Sequence, residues 1–99
     1  MNEYAEKDGE VVVAPKGNIA AEKVAVLRTD LLDLVSRPEI KVVIDMNKVE
    51  IVDSMGVGVL ITAYNSLKKA GGSMRMVNVS GDIRRMFSIM RLDKHFGIE

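Results

Sequence analysis

Three stretches of this chain repeat apolar residues at helical spacing. From Ala20 to Ser36 they fall at Val24, Leu27, Leu31 and Leu34/Val35, with Glu22, Lys23, Arg28, Asp30 and Asp33 on the opposite face. That period marks one side of an amphipathic helix. Pro38 ends it, because the residue before a proline is pushed out of the helical region. A second stripe runs through Val57, Leu60, Ile61, Tyr64 and Leu67 and stops at Gly71-Gly72, a helix terminator. The third, Ile83, Met86, Phe87 and Met90, follows Ser80, Gly81 and Asp82, which read as a helix start.

Elsewhere the period shortens. The segments "EYAEK" and "EVVVAPKG" flank Asp8-Gly9, a dipeptide suited to a two-residue hairpin turn because both positions tolerate positive φ. Two short antiparallel strands are therefore expected at the start. Pro15 and Gly17 interrupt the second, and Asn18 stands where it could cap the first helix. "KVVIDM", from Lys41 to Met46, is a continuous apolar run ending in aspartate, the signature of a central strand buried on both faces. "SMRMVNV", from Ser73 to Val79, alternates methionines about Arg75 and predicts another strand, and "HFGI" predicts a closing extended piece.

The resulting order, β-β-α-β-α-β-α, implies an α/β fold with right-handed β-α-β crossovers and helices against the sheet. With 99 residues and no repeat, linker or low-complexity tract, residues 1–99 are expected to form one domain.

Charge and composition narrow the function. Fourteen basic and fourteen acidic side chains cancel, and the aromatics are only Tyr4, Tyr64, Phe87 and Phe96. Neither the basic surplus nor the stacking platforms of a nucleic-acid binder are present, so no direct nucleic-acid partner is expected. Arg84, Arg85, Arg91, Lys68 and Lys69 read as solvated helix faces. The absence of cysteine removes disulfides, thiolate nucleophiles and cysteine metal sites. The polar, acidic start "MNEYAEKDGE" does not resemble a secretory signal, and no run approaches the roughly 18 apolar residues of a membrane span. A soluble cytoplasmic protein without a membrane partner is expected. Zero net charge and seven methionines allow a monomer or a weak dimer.

Catalytic chemistry finds little support. One histidine, His95, near the C-terminus reads as a surface or packing residue, and no spaced His/Asp/Glu set suggests a metal. Gly56-x-Gly58 lacks the third glycine of the dinucleotide fingerprint and the Gly-Lys-Ser/Thr of the P-loop. Both glycines are read as small residues that let the second helix begin close to a neighbouring strand. No enzyme activity and no cofactor are expected.

The stretch "IVDSMGVGVL", residues 51–60, remains. Either Asp53 or Ser54 can serve as the N-cap of the second helix. A serine at that position can also be phosphorylated. The phosphate adds a charge of about −1.5 to −2 where the helix dipole tolerates an anion. A partner covering the spot would have to desolvate that dianion, so phosphorylation would act as an off-switch for docking. Asp53 carries a cap reading and a reading in which it orients Ser54 and adds charge to the docking site. Asp45 is read as structural.

From Val42 to Ile98 the chain closely resembles the STAS domain of bacterial anti-anti-sigma factors. The resemblance rests on a strand ending in Asp45, the motif Asp53-Ser54-Met55-Gly56-Val57-Gly58 at a helix start, then Gly71-Gly72, a strand, an amphipathic helix and a Leu92-to-Phe96 closing segment. It implies a single STAS domain with a mixed four- to five-stranded sheet and helices mainly on one side. It also implies an anti-sigma factor antagonist working by partner switching. The unmodified domain would bind an anti-sigma factor that is a GHKL-type serine kinase, phosphorylation of Ser54 would release it, and a PP2C-type phosphatase would restore the serine. Asp53, Ser54, Met55, Gly56 and Val57 would form the partner-binding region. The alternative is a non-switching STAS subunit of a larger assembly, stressosome-like or lipid-transporting, in which Ser54 is only a cap. Two positions depart from the family pattern: Ala20 stands where many members carry aspartate, and Met55 replaces the usual serine or alanine.

Overall fold

The computed structural model describes residues 3–93 and 95–98. Five strands and three helices alternate as β1 (Glu3–Lys7), β2 (Glu10–Ala14), α1 (Lys23–Val35), β3 (Lys41–Asp45), α2 (Ser54–Lys69), β4 (Ser73–Val77), α3 (Gly81–Ile89) and β5 (Gly97–Ile98). The strands form one sheet in the order β1-β2-β3-β4-β5. The hairpin is antiparallel, with Lys7 opposite Glu10, and its turn places Asp8 and Gly9 at φ 54° and 80°. These are the positive values that suit a tight turn matched to strand twist. The remaining neighbours are parallel.

The expected central strand is central, and Val42, Val43 and Ile44 are all buried. Alternate residues of the sheet, including Val11, Val13, Val42, Ile44, Met74 and Met76, join Leu27, Leu31, Leu60, Leu67 and Phe87 of the helices in one core. The helices cover this side. On the other side, the Arg75 Nη2 to Glu10 Oε1 ion pair at 3.1 Å bridges β2 and β4 across the strand that carries Val43. The Arg75 guanidinium holds the Glu10 carboxyl below its ordinary pKa. Burial, followed by a hydrogen bond to Asp30 of α1, pushes the Tyr4 phenol upward and ties β1 to the helical layer.

Helix ends explain the remaining shape. Ser80 caps α3 by accepting a 3.2 Å hydrogen bond from the Ile83 amide. At the far end of α2, Gly71 takes φ 79°, and a Cβ on Gly72 would lie 2.3 Å from the Ile40 carbonyl oxygen. Gly71 therefore turns the chain, and Gly72 lets it pass against the start of β3.

Several details depart from the expectations. α1 starts at Lys23, and its N-cap position, Glu22, makes no side-chain cap. Asn18 does not cap it; its amide oxygen accepts from the Glu50 and Ile51 amides at 2.9 and 3.0 Å. Met90 ends α3 with 46% exposure and is not part of the apolar stripe. In "HFGI" only Gly97 and Ile98 pair as a strand, beside Arg75 and Met76, while His95 and Phe96 lie in a turn. Lys94 of the expected closing segment lies outside the described residues.

Phe87 is fully buried and meets Phe96 edge-on at a ring-centre distance of 5.5 Å. Phe87→Ala is expected to cost about 3–5 kcal/mol through lost burial and a residual cavity. A urea unfolding midpoint measured against wild type checks this.

Candidate functional site

Two loop segments come together at the start of α2. The Ile19 amide donates to the Ile51 carbonyl at 2.9 Å, and the Asp53 amide donates to the Ile19 carbonyl at 3.1 Å. They form a parallel bridge between Ile19 and Val52, beyond the paired strands proper. With Asn18 holding the Glu50 and Ile51 amides, residues 18–21 and 50–53 run as a seam.

Asp53 completes the seam with its side chain. Its backbone is extended (φ −84°, ψ 177°), and Oδ1 accepts from the Gly56 amide at 2.8 Å, the geometry of an N-cap. Oδ2 accepts from the Ala21 amide at 3.0 Å. One carboxylate therefore caps α2 and pins the loop leading into α1. Ala21 sits at φ 54°, a left-handed conformation that persists in a non-glycine residue when its surroundings hold it. The Ala21 and Gly56 amides stabilise the carboxylate and hold the Asp53 pKa below its usual value of 3.8.

Ser54 is the first residue of α2 and is exposed. Its hydroxyl makes no hydrogen bond among the described residues. Of the two cap candidates, Asp53 does the capping. Of its neighbours in sequence, Met55 is 71% exposed and Ile51 is 56% exposed. Ile51 was not among the residues expected at the partner-binding region, and its exposure is visible only in the fold. Val57 is buried in the main cluster and supports α2 from within. Gly56 is buried where a Cβ would stand 2.4 Å from the Ile19 carbonyl oxygen, so its lack of a side chain lets helix and seam touch. Gly58 is different: a Cβ there would meet nothing within 4 Å. The packing reason expected for both glycines applies to Gly56 alone.

Other candidates take structural places. His95 leans on Tyr64 at a ring-centre distance of 4.3 Å. Asp45 Oδ1 accepts from the Asn47 amide and from Asn78 Nδ2, each at 3.0 Å, and so shapes the loop after β3. Arg84, Arg85, Arg91, Lys68 and Lys69 are exposed. Among the described residues no group of three or more His, Cys, Asp or Glu could hold a metal ion. No helix among them is long and apolar enough to cross a membrane.

Comparison with known proteins fits this arrangement. The family model of the STAS domain matches residues 3–99. The chain belongs to the STAS domain family. This STAS domain is 30% identical over 87 residues to the anti-sigma-B factor antagonist of Bacillus subtilis (strain 168), covering 88% of this chain and 79% of that protein. The crystal structure of an anti-sigma factor antagonist from Mycobacterium paratuberculosis superposes with a TM-score of 0.86 at 28% identity, covering 99% of this chain and 83% of that one. The Bacillus cell fate determinant SpoIIAA in its phosphorylated form shares the fold, with a TM-score of 0.77 at 17% identity over 100% of this chain and 91% of that one.

The two glycines of this STAS domain separate by experiment. Gly56→Ala is expected to destabilise by about 1–3 kcal/mol through overpacking, whereas Gly58→Ala, with open space around it, is expected to stabilise by about 0.5–1 kcal/mol. Thermal unfolding of both variants checks the pair. A depressed carboxylate pKa contributes stability that is present above the unfolded value, here near 3.8, and lost as pH falls through the folded one. Wild type is therefore expected to lose stability below about pH 4 more steeply than Asp53→Asn, as read from urea titrations across the acid range.

Proposed function

We propose that this STAS domain is an anti-sigma factor antagonist whose partner binding is switched by phosphorylation of Ser54. The observation that carries the reading is the division of labour at the start of α2. Asp53 supplies the cap, leaving the Ser54 hydroxyl exposed, without a hydrogen bond among the described residues, between exposed Ile51 and Met55. A serine kept only to cap the helix, as in a non-switching subunit, would have no such task here.

In its unmodified state the domain binds an anti-sigma factor that is also a GHKL-type serine kinase. Exposed Ile51 and Met55 flank the acceptor in sequence, while Asp53 fixes the helix start from which Ser54 projects. The kinase holds ATP and magnesium. Transfer of the γ-phosphoryl group to Ser54 Oγ forms the ester and releases ADP and the hydroxyl proton. The product places about −1.5 to −2 charges on the residue next to Asp53 and Met55. A docked apolar surface cannot desolvate that charge, so the partner leaves. The helix dipole stabilises the anion on the free domain and tilts the balance further toward release. A PP2C-type phosphatase restores the serine by hydrolysis to inorganic phosphate. The name of the Bacillus subtilis relative supports the output, release of a sigma factor from its inhibitor.

Affinity capture with wild type and Ser54→Asp side by side tests the switch. Wild type is expected to recover a GHKL-type ATPase that Ser54→Asp does not, and Ser54→Ala is expected to hold the same ATPase when ATP is added. Equal recovery by wild type and Ser54→Asp would overturn the reading.

A further inference from the structure

Alongside the switch, α1 and α2 enclose an open groove of about 660 Å³ that the fold itself does not fill. Because the Asp53 carboxylate holds the Ala21 amide, the two helices start side by side. The groove then runs from Ala21 and Met55 to Val35 and Ser66. At 1.5 Å per residue this is a length of roughly 17–20 Å, or three to four helical turns.

Three features indicate what fits there. The walls are largely apolar, and Leu32, 49% exposed, and Met55, 71% exposed, form the rims. Gly58 lies in the groove where a Cβ would meet nothing within 4 Å. A glycine inside a helix costs about 0.5–1 kcal/mol relative to alanine and suits a place where something approaches the backbone closely. No part of the described chain makes that approach. Arg28 is the single charged residue of the lining, and it makes no ion pair or hydrogen bond among the described residues.

We infer that the groove between α1 and α2 docks an amphipathic helix of the switched partner, three to four turns long, with apolar residues against Leu32 and Met55 and an acidic residue opposite Arg28. The inference rests on the reading of Ser54 as the switch. Met55 adjoins Ser54 and also lines the groove, so one end of the docked helix lies against the phosphorylation site. The helix backbone passes closest at Gly58. An unpaired arginine at the edge of an apolar contact selects its partner by charge and disfavours a cationic helix. The span favours a helix over a compact small ligand.

The test is site-specific photocrosslinking in cells. Benzoylphenylalanine replaces Thr62, which lines the groove, or Asn65, which is exposed outside it. Each full chain is made with Ser54 and with Ser54→Asp, and adducts are mapped to the peptide by mass spectrometry. The Thr62 probe is expected to trap an acidic, amphipathic helical segment at least about tenfold more than the Asn65 probe. Arg28→Glu and Gly58→Leu are expected to abolish the adduct while thermal melts show a folded chain. A trapped second copy of this chain, a lipid adduct, equal trapping from both probes or no adduct overturns the docking inference. An adduct that persists unchanged with Ser54→Asp sinks the switch and keeps the groove. Ser54-dependent capture of an ATPase without a Thr62 adduct keeps the switch and sinks the groove.

Discussion

The carboxylate of Asp53 is the interaction on which the rest of this site depends. Its two oxygens take the amides of Gly56 and Ala21, one at the start of α2 and the other ahead of α1. Ala21 and Asp53 are 32 positions apart in sequence, yet this one carboxylate ties the loop ahead of α1 to the start of α2. Gly56 makes this possible, since a side chain there would collide with Ile19. Once Asp53 does this work, the neighbouring hydroxyl makes no hydrogen bond among the described residues, and a modification of it need not cost the fold its cap.

That separation is what would let the proposed switch sit on so small a domain. At 99 residues the chain has a thin stability margin. A switch that unfolded a helix would risk the whole core, whereas a charge at the exposed first turn alters what the surface can desolvate. Ile51, Ser54 and Met55 lie beyond the buried cluster, and Val57 and Leu60 lie within it.

Much of the fold was legible because its signals are local and periodic. The stripes through Val24, Leu27 and Leu31, and through Val57, Leu60 and Leu67, repeat at helical spacing and are buried as expected. The Asp8-Gly9 turn and the Gly71-Gly72 stop were equally visible, because their backbone angles limit which residues fit. Asn18 shows where such reading ends. Its type and place suggested a helix cap, but its oxygen serves amides 32 and 33 residues away, and no local pattern encodes that pairing. The choice between Asp53 and Ser54 as cap was open because both residue types cap helices, and the second role of Asp53, on the Ala21 amide 32 residues away, had no local signal at all. Gly58 was grouped with Gly56 by spacing, and only the space around each separates them. The resemblance of residues 42–98 to the STAS domain, motif and following elements together, pointed to the family that periodicity alone could not, and the family model bears it out.

The central claim is that Asp53 carries the architecture and Ser54 is free to carry the signal. The most direct measurement is amide hydrogen exchange by NMR on the chain carrying phosphoserine at position 54, compared with the unmodified chain. The account predicts that the Ala21 and Gly56 amides keep their protection and that the core amides of β3 are unchanged. Loss of protection at Ala21 and Gly56 on phosphorylation would contradict it, because the hydroxyl would then be part of the clamp rather than free beside it.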